Sequence, residues 1–308
     1  MQELVVISGK GGTGKTSLVA SLAALAERLV LADCDVDAAD LHLVLSPEIE
    51  RREQFSGGSR ARIRPGHCSA CGKCLELCRF GAVAFDGPGN GRVSKTYRID
   101  AIACEGCGVC AYFCPEEAIE FGPVVNGQWF ISTTRHGPMV YARLGVAEEN
   151  SGKLVSLVRR EAKRIASERN LDLILVDGSP GIGCPVIASI TGADLALVVT
   201  EPTPSGLHDL NRVVKLTRHF GIPAWVAVNK CDLNLSLCEE IEGRAAEQGL
   251  SVAGRIRYDS TVTEAQIRAL SVVEHRPESA AAEDIRQIWT RLEGVLRERQ
   301  REPLRVIS

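Results

Sequence analysis

Eight residues, Gly9-Lys10-Gly11-Gly12-Thr13-Gly14-Lys15-Thr16, restrict what this chain can fold into more than any other stretch. They follow the apolar run Leu4-Val5-Val6-Ile7 and open a segment with Leu18, Leu22 and Leu25 on one helical face. A buried strand feeding a glycine loop that leads into a helix is the context in which G-x-x-x-x-G-K-T spacing makes a phosphate site. Glycines let successive backbone N–H groups converge on a polyphosphate, and the helix N-terminus adds the positive end of its dipole. Gly9, Gly11, Gly12, Thr13, Gly14 and Ser17 are therefore expected around a nucleotide. Lys15 should reach its β/γ-phosphates and the Thr16 hydroxyl should ligate Mg²⁺.

The rest of the chain alternates. Apolar runs predict strands near 29–32, 139–144, 171–176, 195–200 and 224–228, and helical periodicity fills 153–169, 206–220, 236–248 and 281–299. Strands alternating with helices favour a mostly parallel sheet covered on both faces. The stretch 48–66 breaks the pattern: it is polar, carries Arg51-Arg52 and Gly57-Gly58-Ser59, and reads as an exposed connection. Residues 51–124 are thus expected to be an insertion into one nucleotide-binding domain made of 1–50 and 125–308.

The insertion holds eight of the twelve cysteines. Cys68-x2-Cys71-x2-Cys74-x3-Cys78 recurs as Cys104-x2-Cys107-x2-Cys110-x3-Cys114-Pro115 at an offset of 36, and Gly72/Gly108, Ala82/Ala118 and Phe85/Phe121 match across the same offset. Cysteines so crowded point to metal rather than disulfides. The spacing resembles that of a two-cluster bacterial ferredoxin, where three close thiolates hold three corners of one cubane and the fourth cysteine reaches across to the other. That resemblance assigns Cys68, Cys71, Cys74 and Cys114 to one [4Fe-4S] cluster and Cys104, Cys107, Cys110 and Cys78 to a second. Two Cys₄ zinc sites are the competing reading, although zinc ribbons separate their cysteine pairs by a longer loop. Arg79 stands where the ferredoxin pattern has proline after Cys78, and a cation there would favour the reduced cluster.

Lys10 makes the loop a deviant one, K-G-G-x-G-K-T, which resembles that of the MinD/ParA, nitrogenase iron protein and Mrp group. The resemblance implies ATP as ligand, Lys10 crossing a homodimer interface to touch the partner's nucleotide, and catalysis by Lys10, Lys15 and Asp35. Asp35, in Asp33-Cys34-Asp35 after the second strand, would be the switch I aspartate that orients the attacking water. Asp177-Gly178-Ser179-Pro180-Gly181 resembles the second switch, with Asp177 behind Mg²⁺ and Gly181 a backbone donor sensing the γ-phosphate. Asn229 would contact adenine. Asn229-Lys230-Cys231-Asp232 also matches the guanine-reading signature of GTPases, so GTP stays open. Asp37 and Asp40 are either solvated loop charges or part of the site.

Cys231 and Cys238 are expected simply to be buried. Cys184 follows the second switch at the spacing of the cysteine that bridges subunits in the nitrogenase iron protein; the second ligand of that bridge falls opposite Gly145-Val146-Ala147-Glu148, where cysteine is missing. The C-terminal C-x-x-C of cluster-carrying Mrp proteins is also missing.

A net charge of −3 supplies no strongly basic surface for nucleic acid, and no apolar run reaches the ~18 residues of a membrane span. The chain reads as cytoplasmic. The stripe Ile285, Ile288, Trp289, Leu292, Val295 and Leu296 is interrupted by Arg291, Glu293, Arg297 and Glu298 and is expected to pack on the sheet rather than on a membrane. The whole pattern resembles MinD-superfamily ATPases carrying an inserted α+β ferredoxin-like domain: an α/β P-loop NTPase with ATP, Mg²⁺ and two [4Fe-4S] clusters. The resemblance implies that a nucleotide-dependent dimer gates electron or metallocluster transfer to a redox or cluster-acceptor partner of the NifX-like kind. A MinD-like positioning ATPase using the cluster module for docking or redox sensing is the alternative. A cobyrinic acid diamide synthase type of amide-forming enzyme fits least, because too little chain follows the last strand for its glutaminase domain.

Overall fold

The computed structural model describes residues 1–145 and 151–301, with the side chains of 299–301 left aside. Of the Gly145-Val146-Ala147-Glu148 stretch, all but Gly145 lies outside the described residues. The described residues divide into two compact units, one made of 1–53, 129–143 and 151–301, the other of 54–128 and 144–145.

The first unit is built on a sheet of β1 (Gln2–Ser8), β2 (Leu29–Asp33), β3 (Glu48–Phe55), β8 (Gly127–Thr134), β9 (Gly137–Leu144), β10 (Leu173–Pro180), β11 (Leu195–Thr200), β12 (Ala224–Asn229) and β13 (Ser251–Ile256). Their order is β13-β12-β11-β1-β10-β2-β9-β8-β3. From β13 to β9 neighbouring strands pair parallel. Parallel strands covered on both faces need continuous apolar sequence, and β1, β2 and β11 are buried at every residue. The two-residue connection between β8 and β9 permits only an antiparallel hairpin.

Alternate residues of each strand serve opposite faces. Leu4, Val6, Leu31, Leu175 and Leu197 join one core with α1 (Lys15–Leu25), α2 (Leu41–Leu45), α9 (Thr261–Ile267), α10 (Val272–His275) and α11 (Ala280–Arg301). The other face carries α5 (Ser151–Glu168), α6 (Cys184–Ile190), α7 (Pro204–His219) and α8 (Leu235–Glu247). The α11 stripe belongs to the first core: Ile285, Ile288, Trp289, Leu292 and Leu296 are buried there. Among the described residues no helix is long and apolar enough to cross a membrane.

The reading of 48–66 as an exposed connection needs correction. It forms β3 and β4 (Gly58–Ile63). β3 escapes apolar patterning because it is the outermost strand, and Glu-Ile-Glu-Arg-Arg-Glu exposes charge as edge strands do to prevent further pairing.

In the second unit β4 pairs antiparallel with β7 (Ile119–Val124), and β5 (Val83–Gly87) with β6 (Thr96–Ile99). The 36-residue repeat is visible in these pairs. The first repeat runs β4, cysteines, β5 and the second runs β6, cysteines, β7, so each two-stranded sheet takes one strand from each repeat. Gly72 and Gly108, at left-handed φ of 83° and 76°, each start a short helix, α3 (Lys73–Leu77) and α4 (Val109–Tyr112). A Cβ at Gly108 would press on the Phe121 ring, so packing and backbone both demand glycine.

Candidate functional site

At the carboxyl edge of the parallel strands, β1 ends and the chain turns through Gly12 and Gly14, at φ of 79° and 86°, into α1. Asn229, at the end of β12, donates its amide to the Thr13 carbonyl at 2.7 Å. A Cβ at Gly14 would strike that amide. Gly11 to Leu18, Asp35, Asp37, Asp40, Asn229 and Lys230 line one open cleft of about 810 Å³, together with Ile256, Arg257, Tyr258, Val262, Gln266 and Ile267. This is ample for a nucleoside triphosphate. Asp37 and Asp40 are exposed.

Lys15 is buried among carboxylates at this cleft. Its Nζ donates to Asp177 Oδ1 and lies 3.5 Å from Asp35 Oδ2. Burial disfavours the ammonium, yet Asp177 and Asp35 together hold the Lys15 pKa above its ordinary value. Asp33, fully buried at the end of β2, accepts the N–H of Asp35 at 3.1 Å and of Leu41 at 3.3 Å, so it shapes the connection that carries Asp35. Burial, then Asp177, pushes the Asp33 carboxyl up. Burial pushes Asp35 to about 6 against the pull of Lys15. The second Asp177 oxygen is buried without a hydrogen-bond partner. The Thr16 hydroxyl shares the cleft with Asp35, while Asp177, with its orphaned oxygen, is fully buried beside Lys15; a hydroxyl and carboxylate oxygens are the donor types that Mg²⁺ takes.

Other expected residues are placed differently. Lys10 does not line the cleft; its Nζ donates to Ser205 Oγ at 3.3 Å and lies 3.5 Å from Glu201 Oε2. Gly9 packs against Asp209 of α7. The Gly181 N–H, expected to face a γ-phosphate, is given to the Ser8 carbonyl at 2.8 Å. The segments around Asp33–Asp35 and Asp177–Gly181 are tied together, because Ser179 Oγ donates to the Cys34 carbonyl at 2.6 Å and the Cys34 N–H reaches the Asp177 carbonyl at 2.8 Å. Asp232 accepts the N–H of Tyr258 at 2.7 Å. Glu201-Pro202-Thr203-Pro204-Ser205-Gly206 belongs to the family resemblance, but the contact of Glu201 with Lys10, 191 residues away, escaped sequence reasoning. So did Tyr258 and Gln266, which follow β13, whose Gly254-Arg255 interrupts the apolar run that would have revealed a strand edge.

In the second unit Cys68, Cys71, Cys74 and Cys114 line one cavity, and Cys78, Cys104, Cys107 and Cys110 line another. The Ala70 and Ala118 N–H groups donate to Cys68 and Cys114 Sγ at 3.4 and 3.3 Å. Among the described residues no three His, Cys, Asp or Glu side chains converge as on a single metal ion. Cys34, Cys231 and Cys238 are buried, whereas Cys184 is exposed.

The family model described as the CobQ/CobB/MinD/ParA nucleotide binding domain matches residues 4–272. The uncharacterized protein MJ0578 of Methanocaldococcus jannaschii is 34% identical over 238 residues, covering 76% of this chain and 80% of its own. Among solved structures, the MinD cell division protein of Aquifex aeolicus has a TM-score of 0.55 at 21% identity, covering 96% of this chain and 97% of its own. The septum site-determining protein MinD of Pyrococcus horikoshii, solved with Mg-ADP, gives 0.56 at 17%, covering 96% and 98%. With the glycine loop at the carboxyl edge of a mostly parallel sheet, these matches establish that the chain belongs to the CobQ/CobB/MinD/ParA nucleotide-binding family of α/β P-loop proteins.

Proposed function

We propose that this chain is an ATPase whose nucleotide-dependent homodimerisation gates electron or metallocluster transfer, from two [4Fe-4S] clusters held in its second unit, to a partner protein. The observation that carries the reading is the grouping of the eight cysteines. Each cavity is lined by three from one repeat and the fourth from the other. Cysteines that line one cavity, two of them receiving backbone N–H groups, suit a cluster better than a single tetrahedral ion, whose four sulfurs sit about 2.3 Å from one centre. Bound there, the clusters supply one-electron redox chemistry or serve as cargo.

In the first unit the glycine loop and α1 cradle the polyphosphate, and Lys15 exchanges part of its hold on Asp177 and Asp35 for phosphate oxygens. Thr16, with Asp177 behind it, would hold Mg²⁺, which neutralises charge developing on the phosphates. Asp35 orients the attacking water, and Lys10 serves the nucleotide of the partner subunit. Adenine is favoured over guanine because Lys10 and the Asp177-Gly178-Ser179-Pro180-Gly181 stretch resemble those of the MinD/ParA ATPases. The route of coupling is covalent and short: from Asp35 the chain passes α2 and β3 and enters the second unit at Gln54.

Iron, sulfide and zinc analysis of anaerobically purified protein, paired with an ATPase assay, tests this. About eight iron and eight sulfide per chain, with MgATP hydrolysis lost in Lys15→Ala, are expected. Two zinc ions without sulfide would overturn the cluster reading, and hydrolysis unaffected by Lys15→Ala would overturn the ATPase reading.

A further inference from the structure

We infer that Glu201 is a latch that holds Lys10 within its own subunit and thereby sets the threshold for dimerisation; this rests on the reading of Lys10 as the lysine that serves the partner's nucleotide. Glu201, at the end of β11, is nearly buried, its side chain 12% exposed. It accepts two cations, Lys230 Nζ on Oε1 at 2.5 Å and Lys10 Nζ near Oε2 at 3.5 Å.

The two bonds are unequal, and the inequality makes a latch. Lys230 is the closer partner, so Glu201 is not stranded when Lys10 departs, and no buried charge is left unpaired. Lys10 is the longer contact and its side chain is 34% exposed, so water and a competing anion can reach it. Its other partner, the Ser205 hydroxyl, lies in the first turn of α7, whose Thr203 cap and Pro204 start mark a helix N-terminus. The positive end of a helix dipole repels an ammonium. Lys10 therefore stays where it is because the Glu201 carboxylate outweighs that repulsion. The polyphosphate of a nucleotide bound to a second copy of this chain carries more negative charge than one shared carboxylate and displaces it. Lys10 then leaves Glu201 to Lys230, and the energy of the lost contact is subtracted from the dimer interface once for each subunit.

Removing the charge should accordingly make dimerisation easier. A lysine–carboxylate contact that water reaches from the lysine side is worth a factor of up to about five, and a symmetric dimer breaks two, so Glu201→Gln should raise the dimer association constant by about three- to twenty-fivefold. Sedimentation of the whole protein with saturating non-hydrolysable ATP analogue and Mg²⁺ reads this directly. The gain should shrink at high salt, which screens the contact in the wild type. Ser205→Ala, which removes only the second hold and alters an exposed side chain, should shift the constant in the same direction by less and stands in should Glu201→Gln misfold. Glu201→Gln and Ser205→Ala that both dimerise no more tightly than wild type would overturn the latch. Lys10→Ala separates the two ideas: if it abolishes the dimer while those variants behave as wild type, the latch fails and the cross-subunit role stands, whereas full dimerisation by Lys10→Ala removes the role on which the latch depends.

Discussion

Lys15 faces Asp33, Asp35 and Asp177 in a nearly dry floor, and this surplus of acid is the main cost of the site at residue scale. It has a pH signature. The Asp35 pKa is raised to about 6 in the folded chain, so folding favours its neutral form. The stability this group contributes is present below its unfolded pKa of about 4 and is lost as pH rises through 6. Asparagine cannot ionise, so Asp35→Asn should gain stability over the wild type across that window, on the order of 1–3 kcal/mol, and keep a constant advantage above it. Urea unfolding of both proteins without nucleotide checks this; a difference independent of pH would contradict it. Gly14 gives a second prediction. Alanine there must adopt φ near 86° and press on the Asn229 amide, so Gly14→Ala should weaken ATP binding about ten- to a hundredfold, measured by calorimetry on protein with unchanged circular dichroism. Lys15, Asp35, Asp177 and Asn229 were legible in sequence because spacing and strand ends announce them. The hold of Glu201 on Lys10 was not, since a contact between distant residues leaves no local pattern.

Among the elements, those with strong periodicity were legible to within a few residues: α5, α7, α8 and α11 lie where apolar spacing placed them, and β11 matches its expected bounds. β3 and β13 were not, because an edge strand is charged and a strand crossed by Gly254 and Arg255 loses its apolar run. The α11 stripe, fixed in the core by Ile288 and Leu292, makes Leu292→Ala a cavity mutation that should cost about 2–5 kcal/mol in thermal unfolding. The cysteine repeats yield a sharper test. Cys78 lines the cavity of Cys104, Cys107 and Cys110, not that of its own repeat. Cys78→Ala should therefore lower iron to about half and spare the cluster held by Cys68, Cys71, Cys74 and Cys114. Loss of the latter cluster instead would show that each repeat binds its own.

At the scale of the whole molecule, the segment between Asp35 and Gln54 joins the nucleotide-binding unit to the cysteine unit. Two units on one chain do not by themselves make a machine; coupling requires that nucleotide have a different affinity for two states of the chain. Hydrolysis by Lys15 and Asp35 would then reset the state that ATP selects, and a dimer held through Lys10 would commit both subunits together. The measurement that tests this most directly is EPR of the anaerobically purified, reduced protein, referenced to its iron content, before and after MgATP. The account predicts two [4Fe-4S]⁺ signals whose shape or reduction level changes when MgATP is added and does not change in Lys15→Ala. Two signals indifferent to MgATP would contradict nucleotide gating in this chain.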